Sequence, residues 1–505
     1  MKIFAKLLIG VFRHVKTFVD SEMERLEAAA SGRSARSSGR IWLRDVRIPP
    51  LLLDAAVAGL LVLQSRFYAA DFFHFISLVV YSVGMYGVFV YAVSLADPEI
   101  RSETSSYTLL IFLLLVNLYT LFIAEIYGAA YIFSTTAVVF TAAMLFPKKV
   151  VSVFAVFSLL VCRSFLPMRH WYFLPGYVLS SFAAIILASP VTSRKAVISA
   201  GFKLSLVNTL IFAFGKELFG IKGDVGVDIY YALGSGLAAA AAGLIALPYL
   251  EAIFGRMSSI TLVEMSDTNK PLIKRMMVDA PGTYHHSLIT ASLAEAACDA
   301  IGASGPLARV GAYYHDIGKL FKPEYFIENQ IYTGNPHDTV SPTMSSMVLM
   351  AHVKEGLELA RQHKLNPKIV EFIGEHHGES LILQFYHKAV TKDVNVEEKD
   401  FRYDGVRPRS RETAVVMLAD SVEAASRSLT ALKPSAIADT VKKVVNNKFV
   451  DGQLNDAPLT LKDLEIITEV MTRTLCGILH VRYQKPDDEP PLSAVDAAPA
   501  APPAE

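Results

Sequence analysis

The sequence contains few of the residues that mark secreted or nucleic-acid-binding proteins. Its 505 residues include three cysteines and two tryptophans, and 48 basic side chains balance 48 acidic ones. Cys162, Cys298 and Cys476 are far apart and form no CxxC pair, which argues against a disulfide framework and against a zinc site built on paired cysteines. A net charge of zero gives no electrostatic case for binding a nucleic-acid polymer.

Charged residues are also scarce, at 19%, whereas apolar residues make up 52% and the mean hydropathy is +0.37. The apolar excess lies between about residues 48 and 250, in runs long enough to cross a bilayer. This pattern predicts a polytopic helical membrane region of about eight helices, embedded in a lipid bilayer. The predicted spans are 48–66, 73–95, 107–126, 128–146, 149–167, 171–189, 196–218 and 228–250.

Basic residues beside the predicted spans set their orientation. Ten Lys and Arg residues precede residue 48, and Lys148, Lys149, Arg194 and Lys195 lie between spans. Because loops rich in Lys and Arg stay on the cytoplasmic side, the N-terminus is predicted to be cytoplasmic. An even number of spans then returns the second half of the chain to the cytoplasm. We therefore expect a multi-pass protein of the cell membrane with a cytoplasmic catalytic domain.

Two features of the membrane half leave alternatives open. The first 20 residues have basic side chains between apolar positions at helical spacing. They form either a helix lying on the membrane surface or a helix packed on the catalytic domain. Asp54 is one of the few ionisable residues inside the spans, with Arg163 and Lys203. Helix pairing or snorkelling explains these residues better than a transport path does.

The second half resembles ordinary globular sequence and is predicted to be all-α. Apolar residues recur there at i, i+3, i+4 and i+7, whereas strand-like alternation is nearly absent. The predicted helices are 288–301, 307–315, 345–363, 368–375, 412–429 and 461–483. The predicted organisation is a basic cytoplasmic segment 1–47, a transmembrane region 48–250, a juxtamembrane linker with a first helix 251–284, a catalytic domain 285–485 whose core starts near 262, and a disordered tail 486–505.

Seven side chains of the second half form a candidate metal site. Each lies on or at the end of a predicted helix, so a helical bundle can direct all of them to one centre. Seven ligands suit two ions with one bridging carboxylate, for which Asp316 is the natural choice. Because imidazole predominates, a transition metal such as Mn or Fe is favoured over Mg or Ca. The candidates are His286, His315, Asp316, His352, His376, His377 and Asp420.

Two pairs of adjacent histidines behave differently. Only one of His285 and His286 can face a shared centre from the surface of a continuous helix, so His285 is interpreted as a surface residue or a hydrogen-bonded core residue outside the site. His376 and His377 can both turn inward if the helix ends there. Gly378 directly follows them, and glycine favours such a helix end.

These motifs resemble those of the HD-domain metal-dependent phosphohydrolases, and more closely those of the seven-transmembrane HD family. In order, the resembling stretches are APGTYHHS, RVGAYYHDIGK, FIENQ, NPHD, AHVKEG, EHHG, VMLADSVEAA, DGQL and LTLKDL, and the resemblance covers nearly all of 262–484. The resemblance implies one ion held by His286, His315, Asp316 and Asp420, and another held by Asp316, His352, His376 and His377.

The resemblance also implies a bacterial inner-membrane enzyme that opens cyclic di-AMP to the linear dinucleotide pApA and so lowers second-messenger levels. One departure stands out. Members of the family usually carry a large extracellular domain after the first span, whereas here only about residues 65–72 connect the first two spans. Sensory input through such a domain is therefore not expected.

Further residues are candidates for catalysis or substrate binding. Asp316 and Lys319 are predicted to be catalytic, with Lys319 reaching a phosphate oxygen from one turn after His315; the alternative is a surface lysine. Arg402, Tyr403 and Arg411 precede the helix of Asp420 and are candidates for contacts with base or phosphate. Solvated loop charges are the alternative explanation for these three.

Three other functions are weighed against a cyclic di-AMP phosphodiesterase. A cyclic di-GMP enzyme of the related type carries Gly-Tyr-Pro after its histidine pair, where this chain has Gly-Glu-Ser. A nucleotide or alarmone hydrolase of the wider HD group uses fewer ligands and one metal. A membrane signalling scaffold would have a degenerate site, yet all seven ligands are present. The oligomeric state is left open, with a homodimer as one option.

Overall fold

The computed structural model describes residues 49–127, 131–165, 173–189, 191–220, 225–330, 334–391, 396–429 and 432–481. This part of the chain divides into two compact units, which meet in sequence between Ser258 and Ser259. Across the described ranges the secondary structure is helical, and the only strand-like pairing is an isolated bridge between Leu381 and Arg402. The all-α fold predicted from the sequence is confirmed.

The first unit is a set of long apolar helices and one short helix. They are α1 (Pro50–Tyr68), α2 (Phe72–Ala96), α3 (Pro98–Ser102), α4 (Thr104–Tyr127), α5 (Tyr131–Leu145), α6 (Lys148–Phe165), α7 (Phe173–Ala188), α8 (Arg194–Leu218) and α9 (Val225–Phe254). Apart from α3, each coincides with one predicted span. By length and composition, α2, α8 and α9 each contain a stretch able to cross a membrane. The unit is therefore that of a multi-pass membrane protein, while the number of spans stays a prediction.

Asp54 joins four helices of the first unit, because its partners lie on α2, α3 and α4. Its carboxylate lies on α1 and accepts hydrogen bonds from Tyr86 of α2, at 2.7 Å, and from Tyr107 of α4. The guanidinium of Arg101 pairs with its other oxygen at 2.9 Å. Such contacts satisfy a charge among apolar helices, which fits the helix-pairing interpretation. The first 20 residues, for which a surface helix was one prediction, and the tail 486–505 lie outside the described residues.

The second unit is a bundle of shorter helices connected by 3₁₀ turns. Its α-helices are α10 (Ser259–Met265), α11 (Pro271–Asp279), α12 (Pro281–Ala300), α13 (Gly305–Tyr314), α14 (Pro342–Gln362), α15 (Pro367–Glu375), α16 (Leu383–Val390), α17 (Arg411–Ser426), α18 (Pro434–Val450) and α19 (Leu461–Ile478). All six predicted helices are present, with ends shifted by a few residues. The first helix predicted within 251–284 is present as α11, whereas α10, α16 and α18 were not predicted.

The core of the second unit lies where α12 packs against α13, α17 and α19. Small side chains such as Ala294 and Ala297 on α12 let these helices approach closely. Leu418 on α17 and Met471 on α19 fill the space between them, and all four side chains are fully buried. The core therefore holds α12 and α17 side by side, and these helices carry His286 and Asp420.

A close backbone contact positions helix α14. Gly318 lies in the 3₁₀ helix Ile317–Phe321, directly against α14. A Cβ atom at position 318 would lie 1.8 Å from the carbonyl oxygen of His352 and 2.5 Å from the amide nitrogen of Gly356. Since no side chain fits in that space, glycine at this position allows the segment of Asp316 to contact the helix of His352.

Gly318→Ala is therefore expected to destabilise the protein by about 1–3 kcal/mol through overpacking. The measurement is the thermal unfolding midpoint of the full-length chain in detergent. Gly477→Ala is the matched control, because Gly477 lies in α19 with open space around its Cβ position. That change should be neutral or stabilise by about 0.5–1 kcal/mol. Equal midpoints for the two variants would contradict this packing argument.

Candidate metal centre

The fold brings all seven predicted metal ligands to one place. They lie on three helices and at the ends of two others: His286 on α12, His315 at the end of α13, Asp316 just after it, His352 on α14, His376 and His377 at the end of α15, and Asp420 on α17. Their nitrogen and oxygen atoms form two groups, each within 4.8 Å. One group is His286, His315, Asp316 and Asp420; the other is Asp316, His352, His376 and His377.

Asp316 belongs to both groups and turns one oxygen toward each. Its Oδ2 lies 3.5 Å from His286 Nε2 and 3.1 Å from His315 Nε2. Its Oδ1 lies 3.3 Å from His352 Nε2 and 3.6 Å from His376 Nε2. A carboxylate placed in this way has the arrangement of a ligand shared between two adjacent cations.

The donor set fits divalent metal ions. His315 Nε2 and Asp316 Oδ1 are buried and form no hydrogen bond within the part of the chain that the structure describes. Leaving buried polar atoms without partners costs about 1–3 kcal/mol each, so such atoms are uncommon unless they bind something. Imidazole and carboxylate together suit a transition metal. The cluster is thus suited to binding divalent metal.

Three of the histidines are oriented by backbone carbonyls. The Nδ1–H of His315 donates to Ala312 O at 2.7 Å, and that of His352 donates to Leu349 O at 2.5 Å. The Nδ1–H of His376 donates to the carbonyls of its own helix at 3.0 Å. Because a carbonyl only accepts, Nδ1 carries a proton in each ring, and Nε2 is the nitrogen that faces the centre.

Burial and charge set the protonation of the centre. Burial lowers the pKa of His352 to about 4, so this ring is neutral and able to bind metal at pH 7. Burial opposes the ionisation of Asp316, but His315 and Lys319 outweigh it and hold its pKa well below the usual value. The pKa of His315 is raised to about 10 because Asp316 and Asp420 outweigh its burial. A cation at the centre would compete with that proton.

The two histidine pairs are arranged as the sequence predicted. His285 is exposed, whereas the side chain of its neighbour His286 is only 3% exposed and lies within the cluster. Helix α15 ends at Glu375, and Gly378 has φ +53°, the left-handed conformation typical of glycine after a helix. The helix end turns His376 and His377 to the same side, with ring centroids 4.0 Å apart.

Lys319 lies within the centre, with only 12% of its side chain exposed, and is not a surface lysine. Its ammonium lies 2.7 Å from Asp316 Oδ2 and 2.8 Å from Glu328 Oε1. Burial disfavours the charged form, but these two carboxylates outweigh it and raise the pKa of Lys319 above its usual value. Lys319 therefore forms an ion pair with Asp316 directly. Its contact with a phosphate oxygen stays a prediction.

The three predicted substrate contacts lie in different surroundings. Tyr403 stacks on His377, with ring centroids 4.2 Å apart, and so lies beside the cluster. Arg402 pairs with Asp451 and Glu398. Arg411 donates to the carbonyl of Ile301 at 2.7 Å and pairs with Asp463. Both arginines therefore have structural partners, and only Tyr403 is brought to the centre.

Sequence reasoning missed three charged residues that surround the ligands. Glu423 contacts His286, Arg427 contacts Glu423, and Glu328 contacts Lys319. Glu423 and Arg427 lie three and seven residues after Asp420, and this helical spacing places them on one face with it. That spacing was the available signal. Glu328 lies in the FIENQ stretch, where no local pattern indicates its contact with Lys319.

Comparison with known proteins identifies both halves. Residues 283–425 match the HD domain, and residues 72–258 match the family described as 7TM receptor with intracellular HD hydrolase. The two matches follow one another along the chain, so the chain has the order of membrane region and HD domain that this description names. The matched membrane segment begins at α2 and contains the seven helices of 15 or more residues that follow α1. The HD match includes all seven candidate ligands.

Similar proteins of named function are cyclic-di-AMP phosphodiesterases called PgpH. Those of Bacillus subtilis and of Listeria monocytogenes are each 37% identical to the chain over 316 residues, which are 62% of the chain. The matched region is 44% of each of those proteins, so it spans less than half of their length. A crystal structure of the L. monocytogenes PgpH HD domain with cyclic-di-AMP is 40% identical, covers 42% of the chain and all of that structure, and has a TM-score of 0.41.

Lys319→Met is expected to remove the positive charge shared by the carboxylates of Asp316 and Glu328 and to cost roughly 3–5 kcal/mol of stability, because the remaining contacts compensate these charges less well. The measurement is the unfolding midpoint of the metal-free, full-length protein. Adding Glu328→Gln to Lys319→Met should recover part of the loss, because one of these carboxylate charges is removed. Lys399→Met is the control, since Lys399 is exposed and pairs with Glu397 at the surface. A midpoint equal to that of this control would contradict the buried pairing.

Proposed function

We propose that this chain is a membrane-bound phosphodiesterase that hydrolyses cyclic di-AMP to pApA at a centre of two divalent ions, Mn or Fe. The observation that carries the proposal is the position of Asp316, with one oxygen facing each of two ligand groups. The PgpH relatives, named for this activity, support the choice of substrate. Together, these observations favour a cyclic dinucleotide over other phosphate esters.

The proposed reaction adds water across one phosphodiester bond of the ring. A P–O3′ bond breaks, the released oxygen takes a proton from water, and the product is a linear dinucleotide with one terminal phosphate. Two divalent ions at the centre would supply Lewis acidity and lower the pKa of water. The chain holds Asp316 ionised, keeps His352 neutral, and aims the Nε2 atoms of its histidines at a common position. Lys319 adds positive charge next to Asp316.

Tyr403 is the substrate contact that we retain from the three predicted ones. Its ring lies against His377 at the edge of the centre and is half-buried. A ring in this position offers a flat surface to a base next to the scissile phosphate, since aromatic faces stack readily on bases. Arg402 and Arg411 are not included, because each already has carboxylate partners.

We further propose that the HD domain is cytoplasmic. The basic segment before residue 48 and the exposed Lys148, Lys149, Arg194 and Lys195 at the starts of α6 and α8 support this orientation. A green fluorescent protein fused after residue 485 should fluoresce in bacterial cells, and alkaline phosphatase fused at the same position should be inactive. The reverse pattern would place the domain on the other side of the membrane.

The test of function compares two adjacent histidines. Full-length protein in detergent is loaded with Mn²⁺ and offered cyclic di-AMP, and product is measured by chromatography. His286→Ala should lose at least about a hundredfold in kcat, as expected when a ligand of a catalytic metal is removed. His285→Ala should stay within about twofold of wild type, because its side chain is exposed and lies outside both ligand groups.

Three outcomes would contradict the proposed function. If metal-loaded wild-type protein does not hydrolyse cyclic di-AMP, the proposed activity is wrong. Faster turnover of cyclic di-GMP or of a nucleoside triphosphate would keep the hydrolytic chemistry and overturn the substrate. Equal losses in His285→Ala and His286→Ala would show that the site is built differently.

A further inference from the structure

We propose that Glu423 and Arg427 are positioning residues that control one of the two ion positions, the one bounded by His286, His315, Asp316 and Asp420, and not the other. The inference rests on the proposed two-ion centre. It goes beyond that centre, because it states that one ion position depends on charged side chains around its ligands and that the other does not.

The inequality starts from the Nδ1 atoms of the ligands. His315, His352 and His376 each donate Nδ1–H to a backbone carbonyl, which no substitution removes without altering the fold. His286 differs, because its Nδ1 lies 2.5 Å from the carboxylate oxygen Oε2 of Glu423. A carboxylate in this position fixes the ring and makes Nε2 a stronger metal donor than a carbonyl does.

Arg427 fixes Glu423 in turn. Its Nε and Nη2 both donate to Glu423 Oε1, at 2.9 and 2.8 Å, which leaves Oε2 for His286. The side chain of Glu423 is only 4% exposed, so its charge is compensated by Arg427 and His286 and little by water. The Arg427 side chain is one-third exposed, so the network extends from the buried ligands to the protein surface.

The network continues to the shared carboxylate by a second route. Arg427 Nη1 lies 3.8 Å from Glu328 Oε2, and Glu328 Oε1 accepts from Lys319 Nζ at 2.8 Å. Lys319 then pairs with Asp316 Oδ2 at 2.7 Å. Charges of opposite sign therefore alternate from Glu423 through Arg427, Glu328 and Lys319 to Asp316, and His286 contacts both ends of this network.

This network of charged side chains contacts only one of the two ion positions. It contacts His286 and the Oδ2 atom of Asp316, the oxygen that faces His286 and His315. Asp316 Oδ1, His352 and His376 are held by the packing of α14 and α15 and by backbone carbonyls. Loss of the network should therefore lower the affinity of the first position for its ion and leave the affinity of the second position unchanged.

The experiment measures Mn²⁺ binding without substrate. Metal-free, full-length protein in detergent is titrated with Mn²⁺, and free Mn²⁺ is followed by electron paramagnetic resonance. Wild type should bind two ions. Glu423→Ala should keep one of them with unchanged affinity and bind the other about 10–100-fold more weakly. Glu423→Gln keeps an acceptor for His286 but not the charge, so its loss should be smaller than that of Glu423→Ala.

Glu412→Ala is the matched control. Glu412 lies on the same helix, eight residues before Asp420, and accepts from the backbone of Ser304, away from the ligands. This variant should bind two ions like wild type. The unfolding midpoint of each metal-free variant separates a local effect from general destabilisation.

Three outcomes overturn the inference. Unchanged binding of both ions by Glu423→Ala overturns it alone and leaves the proposed function standing. Equal weakening of both ions, together with a lowered midpoint, makes Glu423 a general stabilising residue. Wild-type protein that binds fewer than two ions overturns the two-ion centre and this inference with it.

Discussion

The carboxylate of Asp316 is the constraint around which the second unit is organised. It is only 1% exposed, and an isolated buried charge is unfavourable by several kcal/mol or more. Imidazoles approach it from both sides, and Lys319 pairs with it from a third direction. His315 and Lys319 belong to the same stretch as Asp316, whereas His286, His352 and His376 come from three other helices. The helices must therefore keep their relative positions for the charge to be compensated, which links the stability of the bundle to the chemistry of its centre.

Metal chemistry was the most predictable part of the site. The ligands could be identified from their residue types and their positions on predicted helices. Gly378, after His376 and His377, indicated the helix end that turns both rings inward. The charged residues around the ligands could be predicted less well. Glu423 could have been found from its spacing to Asp420, whereas the contact between Glu328 and Lys319 depends on the fold of a loop.

The periodicity of apolar residues predicted the fold class, but it did not predict every helix. Helix α18 contains Ile437, Val441 and Val445 on its buried face, and such β-branched residues lower helix propensity. Tertiary packing on α17 and α19 overrides that preference. For Arg402 and Arg411, the sequence showed charges near the site but not the distant carboxylates that bind them. In the membrane half, hydropathy predicted where helices lie, and the partners of Asp54 came only from the structure.

The central claim is that Asp316 is shared by two ions, and anomalous diffraction tests it most directly. Crystals of the full-length protein grown with Mn²⁺ and measured at the manganese absorption edge would locate each ion independently of the protein model. The account predicts two peaks about 3.5–4 Å apart, one beside His286 and His315 and one beside His352 and His376, with Asp316 between them. A single peak, or two peaks of which only one contacts Asp316, would contradict it.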